Sequence, residues 1–182
     1  TAVVGLVVGL CAQSAFADPQ WSGGQTSLGV FAGQMTNDGW ETVVLHPHQI
    51  DLVDDRVVGL VAARDWAIQG TNLRFGVEGS LVKHTGPIQD HVELNAPLTL
   101  RYRAPEPLIP VQGAAFGLGL SYAEDTPRVE VERKGDSQKL LAHWFAEVEF
   151  GQPDWTVAPF LRLHHGSDGY IIAPFDTGSN AV

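Results

Sequence analysis

The chain has 182 residues, enough for one domain, and 44% of them are hydrophobic while 18% are charged. That composition is too apolar and too weakly charged for a disordered chain. The net charge of −10 argues against nucleic-acid binding, because phosphate recognition needs an excess of lysine and arginine. A single cysteine excludes a disulfide framework and a cysteine-based zinc site, and 20 glycines favour a β architecture with many turns.

The first segment, residues 1–17, carries no charge and ends in Ala15-Phe16-Ala17. An apolar run before such a sequence is typical of a secretory signal peptide, so we predict cleavage before Asp18 and a barrel domain over residues 18–182. A short transmembrane helix is the alternative, although the run is short for a span. We expect the sequence to be truncated at both ends, because it begins without Met or basic residues and stops where a new apolar run begins.

The remainder of the chain alternates between apolar and polar residues, which is the pattern of β-strands that are buried on one face. An eighth strand is expected to begin near Asn180 and to lie mostly beyond residue 182. The fold class that follows is all-β, an eight-stranded antiparallel up-and-down transmembrane β-barrel whose last strand is largely missing. The seven predicted strands are residues 27–35, 55–68, 72–84, 91–103, 111–122, 139–150 and 155–167.

The length of these strands and the aromatic residues near their ends predict a membrane location. They exceed the usual length of about 5–6 residues and approach what a tilted membrane strand needs. Aromatic residues near strand ends resemble an interfacial girdle. The apolar faces would then point to lipid and the charged faces inward, whereas a soluble barrel would reverse the two. The residues predicted to form interior ion pairs are Arg64, Arg74, Glu78, Glu93, Arg101, Arg103, Glu147 and Glu149.

The connections between the predicted strands alternate between short and long. Bacterial outer-membrane barrels have short periplasmic turns and long outer loops. The end of the last predicted strand, near residue 167, therefore faces the outside. The short connections are residues 69–71, 104–110 and 151–154, and the long ones are residues 36–54, 84–90, 123–137 and 168–179.

His165 and Ser167 continue the apolar stripe of the last predicted strand, after Leu161 and Leu163. Their Cα atoms lie about 6.6 Å apart on an extended strand, and side chains that lean along the strand can approach hydrogen-bond distance. A neutral imidazole that takes the proton of Ser167 would make Oγ a nucleophile on the lipid-facing wall. The alternative is that the strand end already lies among headgroups or in water, where His and Ser are ordinary residues.

Residues 162–169 read RLHHGSDG, and this motif resembles that of the lipid A 3-O-deacylase (PagL-type) family of outer-membrane barrels. The resemblance implies removal of an ester-linked 3-hydroxyacyl chain from lipid A without a metal, with His165 as general base and Ser167 as nucleophile. Residues 173–178, APFDTG, are similar to the turn that precedes the family's acidic residue.

Two positions depart from the family's motif. Asp168 replaces an Asn, which leaves backbone N–H groups to stabilise an oxyanion. The family's Glu has no counterpart, so Asp176, or more weakly Asn180, is the candidate to orient the imidazole of His165.

We therefore predict an integral outer-membrane serine esterase of a Gram-negative bacterium that acts on lipid A or lipopolysaccharide and needs no cofactor or metal. A non-catalytic barrel with a structural or binding role is the first alternative, and a secreted soluble barrel that binds an apolar ligand is the second. Two metal sites are weaker alternatives. One combines His46, His48 and Asp51. The other combines His164, His165 and Asp168, although adjacent strand residues point to opposite faces.

Overall fold

A computed structural model shows a closed barrel of eight antiparallel strands, in which each strand pairs with its neighbours in the chain and the first pairs with the last. It describes residues 3–14, 24–87, 89–108, 111–125, 139–151 and 155–167. A short helix, α1 (Trp40–Leu45), and a 3-10 turn (Pro47–Gln49) lie between the second and third strands. The strands are β1 (Val3–Ser14), β2 (Gly24–Thr36), β3 (Leu52–Ala67), β4 (Leu73–Thr85), β5 (Val92–Leu108), β6 (Val111–Ala123), β7 (Leu140–Phe150) and β8 (Val157–Ser167).

The eight-stranded antiparallel up-and-down barrel predicted from the alternation is confirmed. All seven predicted strands are present, as β2 to β8, with bounds close to those expected. In the part of the chain that the structure describes, no helix is long and apolar enough to cross a membrane.

The first strand differs from the prediction. Val3–Ser14, which we placed within a signal peptide, forms β1 and closes the barrel between β2 and β8. The described barrel therefore includes Val3–Ser14 and closes between β1 and β8, and the strand expected near Asn180 lies outside the described residues. An uncharged Val-rich run has high strand propensity, but it lacks the polar alternate residues that reveal a strand in a sequence.

The outer wall of the barrel is apolar and the inner wall is largely polar. In β4, for example, Phe75, Val77 and Leu81 are exposed, while Glu78 and Ser80 are buried inside. This is the arrangement of the two faces that the sequence predicted. The other exposed apolar side chains on the strands include Leu28, Val30, Val58, Leu60, Leu94, Leu98, Leu100, Phe116, Leu118 and Leu161.

Arg162 is the centre of the polar interior. It is 2% exposed, its Nη1 lies 2.6 Å from Glu78 Oε1, and its Nη2 lies 2.6 Å from Glu147 Oε2. Its guanidinium carbon sits 3.8 Å from the centroid of the Phe145 ring. Arg101 extends the network, because its Nη1 lies 2.9 Å from Glu147 Oε1. Four strands, β4, β5, β7 and β8, are thus tied together through one buried set of charges.

Most of the predicted interior charges do form ion pairs. The prediction is wrong only about the location of Arg64, which alternates with the buried Ala63 and Asp65 and therefore lies on the outward face, where its guanidinium carbon is 5.8 Å from the Trp66 ring centroid. Sequence reasoning also missed Asp65 as an interior carboxylate. The further interior pairs are Arg74 with Asp65, Arg101 with Asp65 and Glu149, and Arg103 with Glu149.

An apolar cluster shares the interior with these charges, so the inside of the barrel is not uniformly polar. Three buried phenylalanine rings each lie against a glycine of a neighbouring strand, where any side chain would overlap the ring. Glycine at these positions therefore makes room for the rings in a narrow barrel. The cluster comprises Phe31, Met35, Val57, Val61, Val82 and Phe160. The glycine–ring contacts are Gly59 with Phe31, Gly117 with Phe145, and Gly9 with Phe160.

Replacing Gly117 tests this packing. A Cβ at Gly117 would collide with the Phe145 ring, so we expect Gly117→Ala to lower the free energy of unfolding by about 1–3 kcal/mol in urea titrations of the barrel in lipid vesicles. Gly79→Ala is the matched control, because nothing lies within 4 Å of the added Cβ. Equal stability of the two variants would contradict the role assigned to Gly117.

Removing the central guanidinium tests the buried network. Arg162→Met leaves Glu78 unpaired inside the barrel, and we expect it to cost about 3–5 kcal/mol in the free energy of unfolding, because an uncompensated buried charge is strongly unfavourable. The same urea titration measures this cost. Arg56→Met, at an exposed position of β3, should leave stability nearly unchanged. A cost similar to that of Arg56→Met would show that the pairing with Glu78 contributes little.

Candidate functional site

His165 lies near the end of β8, at the end of the barrel that carries the long connections. It shares the outward face with the exposed Leu161, and its neighbour across the sheet is Trp144 of β7. The two rings stack with centroids 4.6 Å apart and planes inclined by 28°. His165 is 6% exposed, and its Nδ1 is buried without a hydrogen-bond partner in the described structure. The imidazole therefore sits on the outer wall in an aromatic setting, with one ring nitrogen unpaired.

The β2–β3 connection, residues 37–51, covers this part of the wall. Although β1 lies between β2 and β8, the connection reaches β8, where Val43 of α1 packs on Leu163. Trp40 meets Trp144 edge-on, with centroids 6.2 Å apart. The segment thus packs on Leu163 and on Trp144, which are the neighbours of His165 along β8 and across to β7.

Asp38 anchors the β2–β3 connection at its two ends. The backbone N–H of Asp51 donates to Asp38 Oδ2 at 2.6 Å, and the Thr36 hydroxyl lies 2.9 Å from the same oxygen. The hydroxyl is also 2.7 Å from the carbonyl oxygen of Asp51. The hydrogen bond from the Asp51 backbone, followed by that from Thr36, holds the pKa of Asp38 below its usual value, because both stabilise the carboxylate.

Only part of the predicted catalytic set falls on described residues. Ser167 is the last residue of β8 and stands opposite Ala142 in the register with β7, two positions after His165. The backbone therefore places both residues on the outward-facing side of β8. The side chain of Ser167 lies outside the described part of the structure, and so do residues 168–182, which include Asp168, Asp176 and Asn180.

The adjacent histidine, His164, points the other way, into the barrel. Its Nε2 lies 3.3 Å from Glu93 Oε1, and its ring centroid is 4.5 Å from that of His143. His164 and His165 thus lie on opposite faces of β8, as strand geometry requires, and they do not share a metal site.

Sequence reasoning missed a group of buried histidines inside the barrel. Each histidine belongs to a different strand or strand end, so no local spacing brings them together in the sequence. The available signal was parity, because each one falls on the polar face of its strand near a long connection. The group, called here the interior histidine cluster, consists of His84, His91, Glu93, His143 and His164.

His46 and His48 remain apart from that cluster. Both lie exposed in the β2–β3 connection, with ring centroids 6.3 Å apart. The backbone of Asp51, the third member of the predicted site, is engaged by Asp38. Among the described residues, neither of the two groups whose geometry suits a metal ion includes any of these three.

Comparisons with known proteins identify no family for this chain. No family model matches it. No curated protein and no solved structure matches it either. The resemblance of residues 162–169 to the lipid A deacylase motif therefore stays a prediction.

Neutralising Asp38 tests the anchor of the β2–β3 connection. Because folding lowers the pKa of this carboxyl, its contribution is complete above the unfolded pKa of about 4 and is lost as the pH falls through the lower folded value. We expect Asp38→Asn to speed amide hydrogen exchange in α1 at neutral pH, and the native protein to show the same loosening only in acid. Asp54→Asn, at an exposed position of β3, is the control and should leave exchange in α1 unchanged. Equal exchange in both variants would refute the anchor.

Proposed function

We propose that the protein is an integral outer-membrane esterase that removes an ester-linked acyl chain from lipid A or lipopolysaccharide. The apolar outer wall supports the location, because exposed leucine, valine and phenylalanine side chains gain free energy only when lipid or protein covers them. The polar and charged interior is the complementary half of the same arrangement, and its ion pairs need no contact with solvent.

The observation that carries the esterase proposal is the position of His165. An imidazole stands on the outer wall, at the end with the long connections, and Ser167 follows two residues later on the same strand. A lipid ester that lies in the outer leaflet would meet such a pair without leaving the membrane. A site inside the barrel, by contrast, would require extraction of the acyl chain.

The proposed reaction proceeds through an acyl-enzyme. Ser167 Oγ attacks the ester carbonyl carbon while His165 accepts the hydroxyl proton. The tetrahedral intermediate collapses, the imidazolium returns the proton to the departing sugar oxygen, and the acyl chain remains on Ser167. Water, deprotonated by His165, then attacks the acyl carbon, the bond to Ser167 Oγ breaks, and the imidazolium returns the proton to Oγ as the fatty acid leaves. In place of the family's Glu, Asp176, or more weakly Asn180, is the candidate to orient the imidazole, and backbone N–H groups near Asp168 would stabilise the oxyanion.

One observation favours a non-catalytic barrel instead. His165 is only 6% exposed, its ring stacks on Trp144, and the β2–β3 connection packs on Trp144 and on Leu163 beside it. A histidine that packs against an aromatic ring in this way also serves as a structural contact. The esterase proposal therefore requires lipid to enter between the connection and the wall.

Lipid A mass spectrometry after expression in a Gram-negative host tests the proposal. The wild-type protein should remove one hydroxyacyl mass from lipid A, and Ser167→Ala and His165→Ala should each lower the rate at least about 100-fold. His48→Ala is the matched control, because this histidine lies exposed in the β2–β3 connection and should leave the product unchanged.

Membrane fractionation in the same experiment checks whether each variant reaches the outer membrane. An unchanged lipid A profile for the wild-type protein, when it is folded in that membrane, would refute the esterase and favour the non-catalytic barrel. Extraction of the wild-type protein into buffer without detergent would refute the membrane location.

A further inference from the structure

The interior histidine cluster holds four imidazoles and one carboxylate at the end of the barrel that carries the long connections. All five side chains are buried, and His143 is 0% exposed. The cluster lies on the inner wall, on the face of β8 opposite His165, so it is separate from the proposed esterase site. Neither the resemblance nor the proposed reaction gives these residues a role.

Glu93 divides the cluster into two halves. Its Oε2 lies 3.3 Å from His84 Nε2, and its Oε1 lies 3.3 Å from His164 Nε2. His91 stacks on His84 with ring centroids 4.4 Å apart, and His143 lies 4.5 Å from His164. In each half, one ligand atom from each of the three residues lies within 4.8 Å of the other two.

Several of the buried nitrogens in the cluster lack a hydrogen-bond partner. Nδ1 of His84, both ring nitrogens of His143 and Nε2 of His91 have no hydrogen-bond partner in the described structure, whereas Nε2 of His84 lies 3.3 Å from Glu93. A buried polar atom without a partner is unfavourable, so four such atoms in one place need a compensating ligand. The single carboxylate of the cluster contacts only two of the four imidazoles, those of His84 and His164.

We propose that the interior histidine cluster binds divalent transition-metal ions of the zinc class, with Glu93 shared between two histidine pairs. Imidazole nitrogens and a carboxylate oxygen are preferred ligands of Zn²⁺. Ligands at about 2.0–2.1 Å from a tetrahedral ion lie roughly 3.3 Å from one another. The distances from Glu93 to His84 and to His164 already have that value, and small rotations bring His91 and His143 into range. Each half then offers two histidines and one carboxylate oxygen, with a fourth position for water.

Zinc titration of the full-length barrel, refolded in detergent micelles, tests the proposal. The wild-type protein should bind Zn²⁺ saturably, and Glu93→Gln should weaken the affinity at least about tenfold, because it removes the ligand common to both halves. His143→Asn should weaken binding in one half only. The matched control replaces His46 and His48 together with Asn, which removes two exposed histidines and should leave the affinity unchanged.

A second measurement uses the wild-type protein alone and does not depend on the folding of any variant. X-ray absorption of the zinc-loaded barrel should show imidazole scattering, with nitrogen or oxygen ligands at about 2.0–2.1 Å. A first shell of oxygen atoms without imidazole would overturn the proposal. So would the absence of saturable binding, wild-type affinity in folded Glu93→Gln, or loss of binding in the His46/His48 control.

Discussion

The buried guanidinium of Arg162 is the interaction on which the interior of this barrel depends. It binds Glu78 on β4 and Glu147 on β7 while its own strand is β8, so one side chain fixes the relation of three strands across the lumen. A closed sheet with an apolar outside must place its charges inside, where each is stable only when it is paired. The stacking of Arg162 on Phe145, together with the glycine opposite that ring, shows that the packing of the interior is adapted to this pairing.

The same constraint separates two adjacent histidines. Because side chains alternate along a strand, His164 enters the interior beside Glu93, whereas His165 joins the outer wall beside Trp144. One dipeptide thus contributes to two sites in different environments, one enclosed by polar groups and one by aromatic rings. The proposed metal site and the proposed esterase site each use one face of β8, and the backbone between them fixes both orientations.

Alternation in the sequence was sufficient to predict seven strands of an antiparallel meander, and the length of the strands and the aromatic residues near their ends favoured an outward apolar face. Alternation failed for Val3–Ser14, because this nearly apolar run has no clear period and precedes a sequence that resembles a cleavage site. It also misplaced Arg64, whose charge was read as inward although its parity is outward. The interior histidine cluster could not be predicted from the sequence. Alternation assigns each residue to a face of its strand but does not give the register between strands, and the register is what brings residues 84, 93, 143 and 164 to the same height in the barrel.

The composition of α1 bears on how a lipid would reach His165. The helix turns Val43 toward Leu163 on the wall, while Val44 and Leu45 on its other side are 56% and 66% exposed. The exposed Val44 and Leu45 suit immersion in the hydrocarbon edge of a leaflet better than contact with water. Within the proposed location, acyl chains would therefore surround α1 and compete with Val43 for the same wall. The anchor at Asp38 holds the ends of the connection but leaves α1 bound mainly by apolar contacts, and these are the contacts that an acyl chain can replace.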